Sequence, residues 1–450
     1  MRRMFRFALV SFLCFPGIVA AATVPFPDTE GTWFRYRESI AALQERGILE
    51  GYPDGTFRPK QTLNRAELLK IIFKGRSDVV PVQRRCFSDV NPDAWYAPYV
   101  CAAQRRGIVQ GYSGGVFRPE QPVNTAEAVK MMLLAYGRQI NEPDGEHWYV
   151  PYTASLDETG ILARSSYLPW SPLSRERAAD LLYRVLRYDE DRTLLSRSAG
   201  CGTAYAAAPG TLQVQGRQRT YELNVPKQYQ IDMPAPLILA FHGRTNSAAQ
   251  VRAYYGLDRA ASDAFIAYPA AMQHDTGTYH WSDPGDRAGE LRDIAYFDAL
   301  VEDMANRYCI DLDRIFVAGH SLGGWFANSV ACIRGDVVRA SASVGGSSVI
   351  TECAGPAAAL IAHNPNDRMA SFTASELTRD LRLEVNACPA DASPAQPRSL
   401  QCVQYVPCSA GNPVLWCPHE QDYDPRGNYY PHTWPTDFGD TIARFFASLD

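Results

Sequence analysis

Gly319-His320-Ser321-Leu322-Gly323-Gly324 is the stretch on which the reading of this 450-residue chain turns. It follows the apolar run Ile315-Phe316-Val317-Ala318, read as a buried strand, and precedes Trp325-Phe326-Ala327-Asn328-Ser329-Val330-Ala331, read as a helix. The small residues flanking Ser321 permit a tight strand-to-helix turn. Such a turn lifts the serine hydroxyl into the open, at the positive end of the helix that follows. Ser321 is therefore the candidate nucleophile.

A serine hydroxyl attacks poorly until a neutral imidazole takes its proton, and a carboxylate must fix the tautomer and stabilise the imidazolium. On an elbow of this kind the acid and the histidine follow the serine in chain order, each after a later strand. Ala358 to His363 reads as a buried strand and Asn364-Pro365-Asn366-Asp367-Arg368 as the loop after it, which makes Asp367 the candidate acid. Its rivals are Asp391, in a Pro/Ala/Ser-rich loop, and Asp380, on a predicted helix surface. Tyr430-Pro431-His432-Thr433-Trp434-Pro435 precedes a closing helix expected from Phe438 to Leu449, which favours His432 over His419 as the base. His363 reads as a strand-end residue and His320 as an elbow neighbour with no proton-transfer duty. An oxyanion hole needs two backbone N–H groups. One is expected from Leu322. The other is expected from the loop after the strand Pro236 to Phe241, where His242-Gly243 leads to Arg244, with Thr245 as the alternative.

About ten residues separate the strand expected at Arg339 to Gly346 from the next, near Ala357, too few for a helical lid. An uncovered site suits a bulky or polymer-attached ester. Trp281, Tyr279 and Trp434 are candidate aromatic walls for an acyl group, with core packing as the competing role for each.

At the N-terminus, Arg2, Arg3 and Arg6 precede a largely apolar run from Phe7 to Val19 and then Ala20-Ala21-Ala22. This is the pattern of an export signal over residues 1–21, too short in its apolar part for a membrane span. No other stretch is a transmembrane candidate. Of eleven cysteines, Cys14 falls in that signal and ten remain. An even number without metal-ligand spacing in an exported chain predicts disulfides, with Cys86 pairing to Cys101. Loss of the three arginines takes the formal charge from −5 to −8, which gives no basic footprint for nucleic acid.

Between signal and elbow lies an internal repeat. Gly51-Tyr52-Pro53-Asp54-Gly55-Thr56-Phe57-Arg58-Pro59 recurs as Gly111-Tyr112-Ser113-Gly114-Gly115-Val116-Phe117-Arg118-Pro119, and Asn64-Arg65-Ala66-Glu67 as Asn124-Thr125-Ala126-Glu127. Each unit reads as helix, turn-rich loop, helix, with Asn64 and Asn124 as N-caps of the second helices. A decayed third unit runs from His147-Trp148-Tyr149 to Ser174-Arg175-Glu176. Units of this length bury their apolar faces against one another.

The repeat block resembles the S-layer homology family, which implies non-covalent attachment to cell-envelope polysaccharide, often acidic. Carried over, the basic residue of that family's binding pocket is Arg65 in unit one and Arg175 in unit three. Unit two has Thr125 there, which implies a weak or lost pocket. The segments around His242, Ser321 and His432, with the cysteine-rich stretch Cys402 to Cys417, resemble the secreted feruloyl esterase and polyhydroxybutyrate depolymerase-like family. That likeness implies an α/β-hydrolase fold and ester hydrolysis through an acyl-serine, with water as the only co-reactant and no cofactor or metal. The acid loop Asn-Pro-Asn-Asp and the segment Arg244-Thr245-Asn246 depart from the family's usual pattern and leave the substrate open: a feruloyl-type ester on plant polysaccharide, or a short polyester. A non-enzymatic surface adhesion module is the alternative of a different class.

The expected organisation is thus multidomain: an all-α repeat domain followed by an α/β-hydrolase domain with a mostly parallel sheet flanked by helices. The expected bounds are signal 1–21, repeats 22–80, 81–140 and 141–190, linker 191–210, and hydrolase 211–450. The expected location is the cell surface or beyond it.

Overall fold

The computed structural model describes residues 26–77, 85–138, 140, 148–159, 161, 168–191, 196–204, 207–273 and 279–449. The expected export signal, with Cys14, lies outside them. No helix among the described residues is long and apolar enough to cross a membrane.

The N-terminal third carries α1 (Phe34–Glu45), α2 (Arg65–Gly75), α3 (Ala97–Arg105), α4 (Thr125–Ala135), α5 (Val150–Thr159) and α6 (Arg175–Asp191). Both expected caps are closed capping boxes. Asn64 accepts from the N–H of Glu67 while Glu67 accepts from that of Asn64, and Asn124 and Glu127 do the same. The three units join through a ring of backbone hydrogen bonds. The N–H of Leu63 donates to Leu173 (3.0 Å), that of Leu173 to Val123 (2.9 Å), and that of Val123 to Leu63 (3.0 Å). Beside this ring the first N–H groups of each second helix, which have no intrahelical acceptor, find carbonyls in a neighbouring unit. Arg65 and Ala66 donate to Gln121 and Pro119, Thr125 and Ala126 to Ser171 and Pro169, and Arg175 and Glu176 to Gln61 and Pro59. The third unit, decayed in sequence, closes the ring on the first.

The C-terminal part is built on a ten-stranded sheet with β5 and β6 set aside as a short hairpin. The strands are β1 (Thr211–Val214), β2 (Arg217–Asn224), β3 (Ala235–Phe241), β4 (Phe265–Pro269), β5 (Met272–Gln273), β6 (Tyr279–His280), β7 (Ile310–His320), β8 (Ala340–Val344), β9 (Ala358–Ala362), β10 (Ser393–Pro394), β11 (Val403–Tyr405) and β12 (Val414–Cys417). Their order across the sheet is β1-β2-β4-β3-β7-β8-β9-β12-β11-β10, parallel from β4 to β12 and antiparallel at both margins. Helices α7 (Ala248–Tyr255), α8 (Leu257–Ala260), α9 (Arg287–Arg307), α10 (Leu322–Ile333), α11 (Phe372–Val385) and α12 (Phe438–Ala447) flank it. Parallel strands buried on both faces read as continuous apolar runs. In β7, Ile315 and Val317 pack towards α9 and α10, while Phe316 and Ala318 pack towards α7 and α12.

From β3 the chain turns to β4 on one side, then crosses to β7 on the other. Crevices at such reversals, beyond the carboxyl ends of the strands, are where open α/β sheets bind ligands. Phe241 ends β3 just before His242-Gly243, and His320 ends β7 just before Ser321. The segment between β8 and β9 contains no helix, and Cys353 within it is bonded to Cys332 of α10.

Cys86 and Cys101 are bonded, and the other pairs are Cys201–Cys309, Cys388–Cys408 and Cys402–Cys417. One expectation is corrected. The linker expected at 191–210 is pinned to the sheet domain from Ser196 to Cys201. Ser198 donates from its backbone to Ile310 (3.1 Å) and from its hydroxyl to Tyr308 (2.7 Å), Gly200 donates to Ala305 (2.8 Å), and Cys201 is bonded to Cys309. Small residues there serve close packing rather than flexibility: a Cβ on Gly200 would lie 2.5 Å from the Tyr308 backbone.

Candidate active site

Ser321 has φ +56° and ψ −126°, a conformation that non-glycine residues rarely adopt. Its neighbours explain how the turn holds. A Cβ on Gly319 would come 2.2 Å from the carbonyl oxygen of Gly323, and one on Gly323 the same distance from that of Phe241. Only glycine lets β7, the elbow and α10 close on one another. The Ser321 N–H donates to Val344 (2.8 Å), tying the elbow to the end of β8.

Asp367 follows β9 and His432 precedes α12, and the sheet brings them together: His432 Nδ1 lies 2.5 Å from Asp367 Oδ2. That carboxylate is nearly saturated. Oδ2 also faces His363 Nε2 (3.1 Å), and Oδ1 accepts the N–H groups of Met369 (2.7 Å) and Ala370 (3.1 Å). Burial alone would raise its pKa, but the hydrogen bonds from His363 and His432 hold it well below the usual carboxylate range. His432 Nε2, the other ring nitrogen, is buried and has no hydrogen-bond partner among the described residues. It makes no hydrogen bond with Ser321, and contacts of this kind tighten only when substrate binds. Gly345, at φ +54°, leaves room for the ring: a Cβ there would stand 3.0 Å from His432 Cε1.

The other histidines sort by their partners. His320 Nε2 donates to the His432 carbonyl (3.1 Å), and burial lowers its pKa to about 3, so it is neutral and holds the His432 backbone. His363 was legible only as a strand end. It stands between Asp367 and Ser375, whose Oγ lies 2.6 Å from Nδ1 and 3.0 Å from the Gly346 carbonyl. Its position four residues before the acid is the one signal that pointed to this role. His242 accepts from the N–H of Ala271 (3.0 Å) at Nε2 and lies 2.7 Å from the Gly243 carbonyl at Nδ1, which fixes the loop ahead of Arg244. Among the rivals, Asp380 pairs with Arg379 on the surface of α11, and burial lowers the pKa of His419 to about 4.

Leu322 opens α10, so its N–H belongs to the first turn, which lacks intrahelical acceptors. The loop after β3 lies against it: a Cβ on Gly243 would be 3.5 Å from Ser321 Cβ. The Arg244 side chain turns outward to Asp283.

Of the two roles open to the aromatics, Trp281 and Trp434 take core packing. Trp281 is fully buried, with Nε1 donating to the His242 carbonyl (3.0 Å) and its ring stacked on Phe326 at 4.5 Å. Trp434 is buried against Tyr255 at 3.9 Å. The side chain of Tyr279 lies outside the described residues. Half-exposed rings do border the site: Tyr430, 6.0 Å from the His432 ring, and Tyr254, 6.3 Å from that of Trp434.

Comparison with known proteins bears on both halves. Residues 25–69 and 87–129 match the model of the S-layer homology domain. A surface-layer 125 kDa protein of Lysinibacillus sphaericus is 30% identical over 29% of this chain and 11% of its own length. Feruloyl esterase D of Neurospora crassa is 28% identical over 51% of this chain and 82% of its own. A probable feruloyl esterase C of Aspergillus niger is 32% identical over 39% of this chain and 64% of its own. The chain carries S-layer homology repeats fused to a feruloyl esterase-like α/β-hydrolase domain. Among solved structures, a Bacillus cereus carboxylesterase aligns with 52% of the chain at 12% identity and a TM-score of 0.39, too loose a likeness to add to the strand order.

In the repeat ring both basic residues are buried under aromatic rings. Arg65 donates from Nε to the Phe117 carbonyl (3.0 Å), lies 3.0 Å from Glu127 Oε1, and sits over the rings of Tyr112 (4.8 Å) and Phe117 (4.6 Å). Arg175 donates to the Phe57 carbonyl (2.8 Å) and sits over Tyr52 (4.9 Å) and Phe57 (4.6 Å). Each therefore works in another unit's loop, and each borders a groove. Arg65, Lys130, Trp148 and Trp170 line one of about 350 Å³; Arg175, Lys70, Lys74 and Trp95 line one of about 380 Å³. The expectation that Thr125 spoils unit two is corrected accordingly. The loop of unit two is served by Arg65, and Thr125 reaches Ser171 in unit three instead.

Proposed function

We propose that this protein is a cell-surface serine esterase. The observation that carries the reading is the 2.5 Å bond between Asp367 and His432 beside a serine held at φ +56°. With Nδ1–H donated to Asp367, the lone pair of His432 falls on Nε2, the atom left unpartnered. In the proposed reaction Nε2 takes the Ser321 proton as Oγ attacks the ester carbonyl, and Asp367 stabilises the imidazolium. The N–H groups of Leu322 and of Arg244 or Thr245 stabilise the oxyanion. Collapse expels the alcohol, protonated by His432, and leaves an acyl-serine that water hydrolyses by the same steps in reverse.

The likeness to feruloyl esterases supports a carboxylic ester, and among carboxylic esters a feruloyl one. A helix-free segment between β8 and β9 leaves room for a polymer-attached ester, and Tyr430 and Tyr254 offer a phenolic acyl group aromatic faces at the rim. We assign Arg65 and Arg175, each with lysine and tryptophan beside it, to envelope polysaccharide. Cations pair with acidic groups, and aromatic faces pack against sugar rings. The units at 22–80, 81–140 and 141–190 then form an all-α anchor, and the hydrolase domain begins near Ser196.

Ser321→Ala is the direct test. Turnover of methyl ferulate is expected to fall on the order of 10⁵-fold or more. Unchanged turnover would end the serine mechanism. Faster wild-type cleavage of a hydroxybutyrate oligomer than of the ferulate ester would move the substrate to polyesters.

A further inference from the structure

The repeat ring has three pseudo-equivalent positions, and two of them are the grooves already described. Counting along the second helices, Glu67, Glu127 and Arg177 correspond, as do Lys70, Lys130 and Asp180; counting back from Gly107, Gly160 and Gly47 along the first helices, Trp95 and Trp148 correspond to Arg35, with Trp33 two residues ahead of it. The groove between α2 and Trp95 has Lys70 at 5.7 Å from the tryptophan ring, and the groove between α4 and Trp148 has Lys130 at 5.1 Å. At the third position, between α6 and α1, both charges are reversed and the aromatic is gone: Arg177 stands for glutamate, Asp180 for lysine and Arg35 for tryptophan.

Those reversed residues face inward or onto the hydrolase domain. Arg177 Nη2 pairs with Asp336 (3.2 Å) and donates to the Ala354 carbonyl (2.8 Å). Asp180 accepts from Ser39 (3.0 Å) and turns Arg35 towards Asp313, which lies 3.0 Å from Arg35 and 2.9 Å from Arg184. Tyr36 donates to Asp336 (2.5 Å) and Arg37 pairs with Glu302. Trp33, two residues ahead of Arg35, is buried and lies 6.3 Å from Phe297 of α9, stacked on it. Trp33, Phe34 and Tyr36 pack in the same apolar cluster as Phe297, Leu300 and Val301, while Ile40 and Leu43 of the same helix belong to the ring's own core.

We infer that the third position of the ring is the seat of this chain's own hydrolase domain and not an envelope groove. The anchor then offers two saccharide grooves, and the ring and the hydrolase travel as one rigid body that presents the Ser321 cleft at a fixed orientation to whatever the grooves hold. For what the two grooves bind, this rests on the function proposed above; for the docking it rests on none of it.

Small-angle X-ray scattering of the full chain tests it, with two variants beside the wild type. Arg177→Glu with Asp180→Lys restores the groove's charges on the ring side, and Asp313→Asn with Asp336→Asn removes the partners on the hydrolase side while leaving the ring intact. The wild type is expected to scatter as a compact body with a radius of gyration near the ~22 Å of a compact chain of this length. Both variants are expected to be larger by several ångströms. A wild-type curve that requires separated halves overturns the docking, and so do variants that scatter like the wild type. Turnover of a short soluble ester by the same samples reports on the catalytic reading separately, because the docking stands or falls on the scattering alone.

Discussion

The cleft at Ser321 and the grooves of the repeat ring are both assembled from segments far apart in the chain, but they relate motif to site in different ways. In the cleft the motifs lie beyond the carboxyl ends of the strands: Ser321 directly after β7, Asp367 in the loop after β9, and His432 in the longer segment between β12 and α12. Parallel strands joined by crossovers of one hand put every carboxyl end on one edge, so a motif's place in the sheet is its place in the site. In the ring, each second helix begins with N–H groups that need acceptors, and a neighbouring unit supplies them. The side chain travels with its helix, so Arg65 serves the loop of unit two and Arg175 the loop of unit one. A motif's own repeat is not where it works.

The largest effect expected is on the cleft. Asp367→Asn should lower kcat on the order of 10⁴-fold, because an amide can hold His432 in the wrong tautomer and carries no charge to stabilise the imidazolium. The same variant tests the electrostatics. The folded pKa of Asp367 lies below its unfolded value of about 3.9, so its contribution to stability is full above that value and is lost as pH falls towards the folded pKa. The stability gap between the wild type and Asp367→Asn should therefore hold constant down to about pH 4 and change in the wild type's disfavour as pH falls further, as measured by urea unfolding. A gap that stays constant there as well would mean that the bonds from His363 and His432 do not hold the charge.

In the ring the effect should be smaller and paired. Arg65→Ala and Arg175→Ala should each weaken sedimentation with envelope polysaccharide by about 10- to 100-fold, the cost of a lost charge-assisted contact of roughly 1.5–3 kcal/mol. Similar losses from both variants would sharpen the comparison, since each would disable one groove. A loss confined to one would mean that the grooves are not equivalent, whatever their geometry.

How much was legible follows from the same contrast. The elbow, the acid and the histidine were readable because each sits in a short segment whose local pattern implies its place in the sheet. Asn64 and Asn124 were readable as caps because capping is a matter of three residues. His363 was not, since nothing in Ala-His-Asn distinguishes a strand end from the partner of an acid four residues on. Trp281 was readable only as wall or core, because burial of an aromatic depends on Phe241 and Phe326 arriving from other strands and helices. The tie between Ser198 and Tyr308 was hidden because Gly and Ser fit a flexible linker and a tightly packed strap equally well.

The smallest effect expected is the one that separates the two kinds of region most cleanly. Counting motifs along the chain, Thr125→Arg repairs the defective unit and should add a groove. Counting positions in the ring, it adds nothing, because Thr125 meets Ser171 and the adjoining second-helix face carries Arg177 and Asp180 turned to other partners. No gain in affinity for envelope polysaccharide is expected over the wild type, measured by the same sedimentation assay. A gain of about tenfold, which corresponds to roughly 1.4 kcal/mol, would mean that the third position does receive saccharide and that the hydrolase domain yields its seat to it.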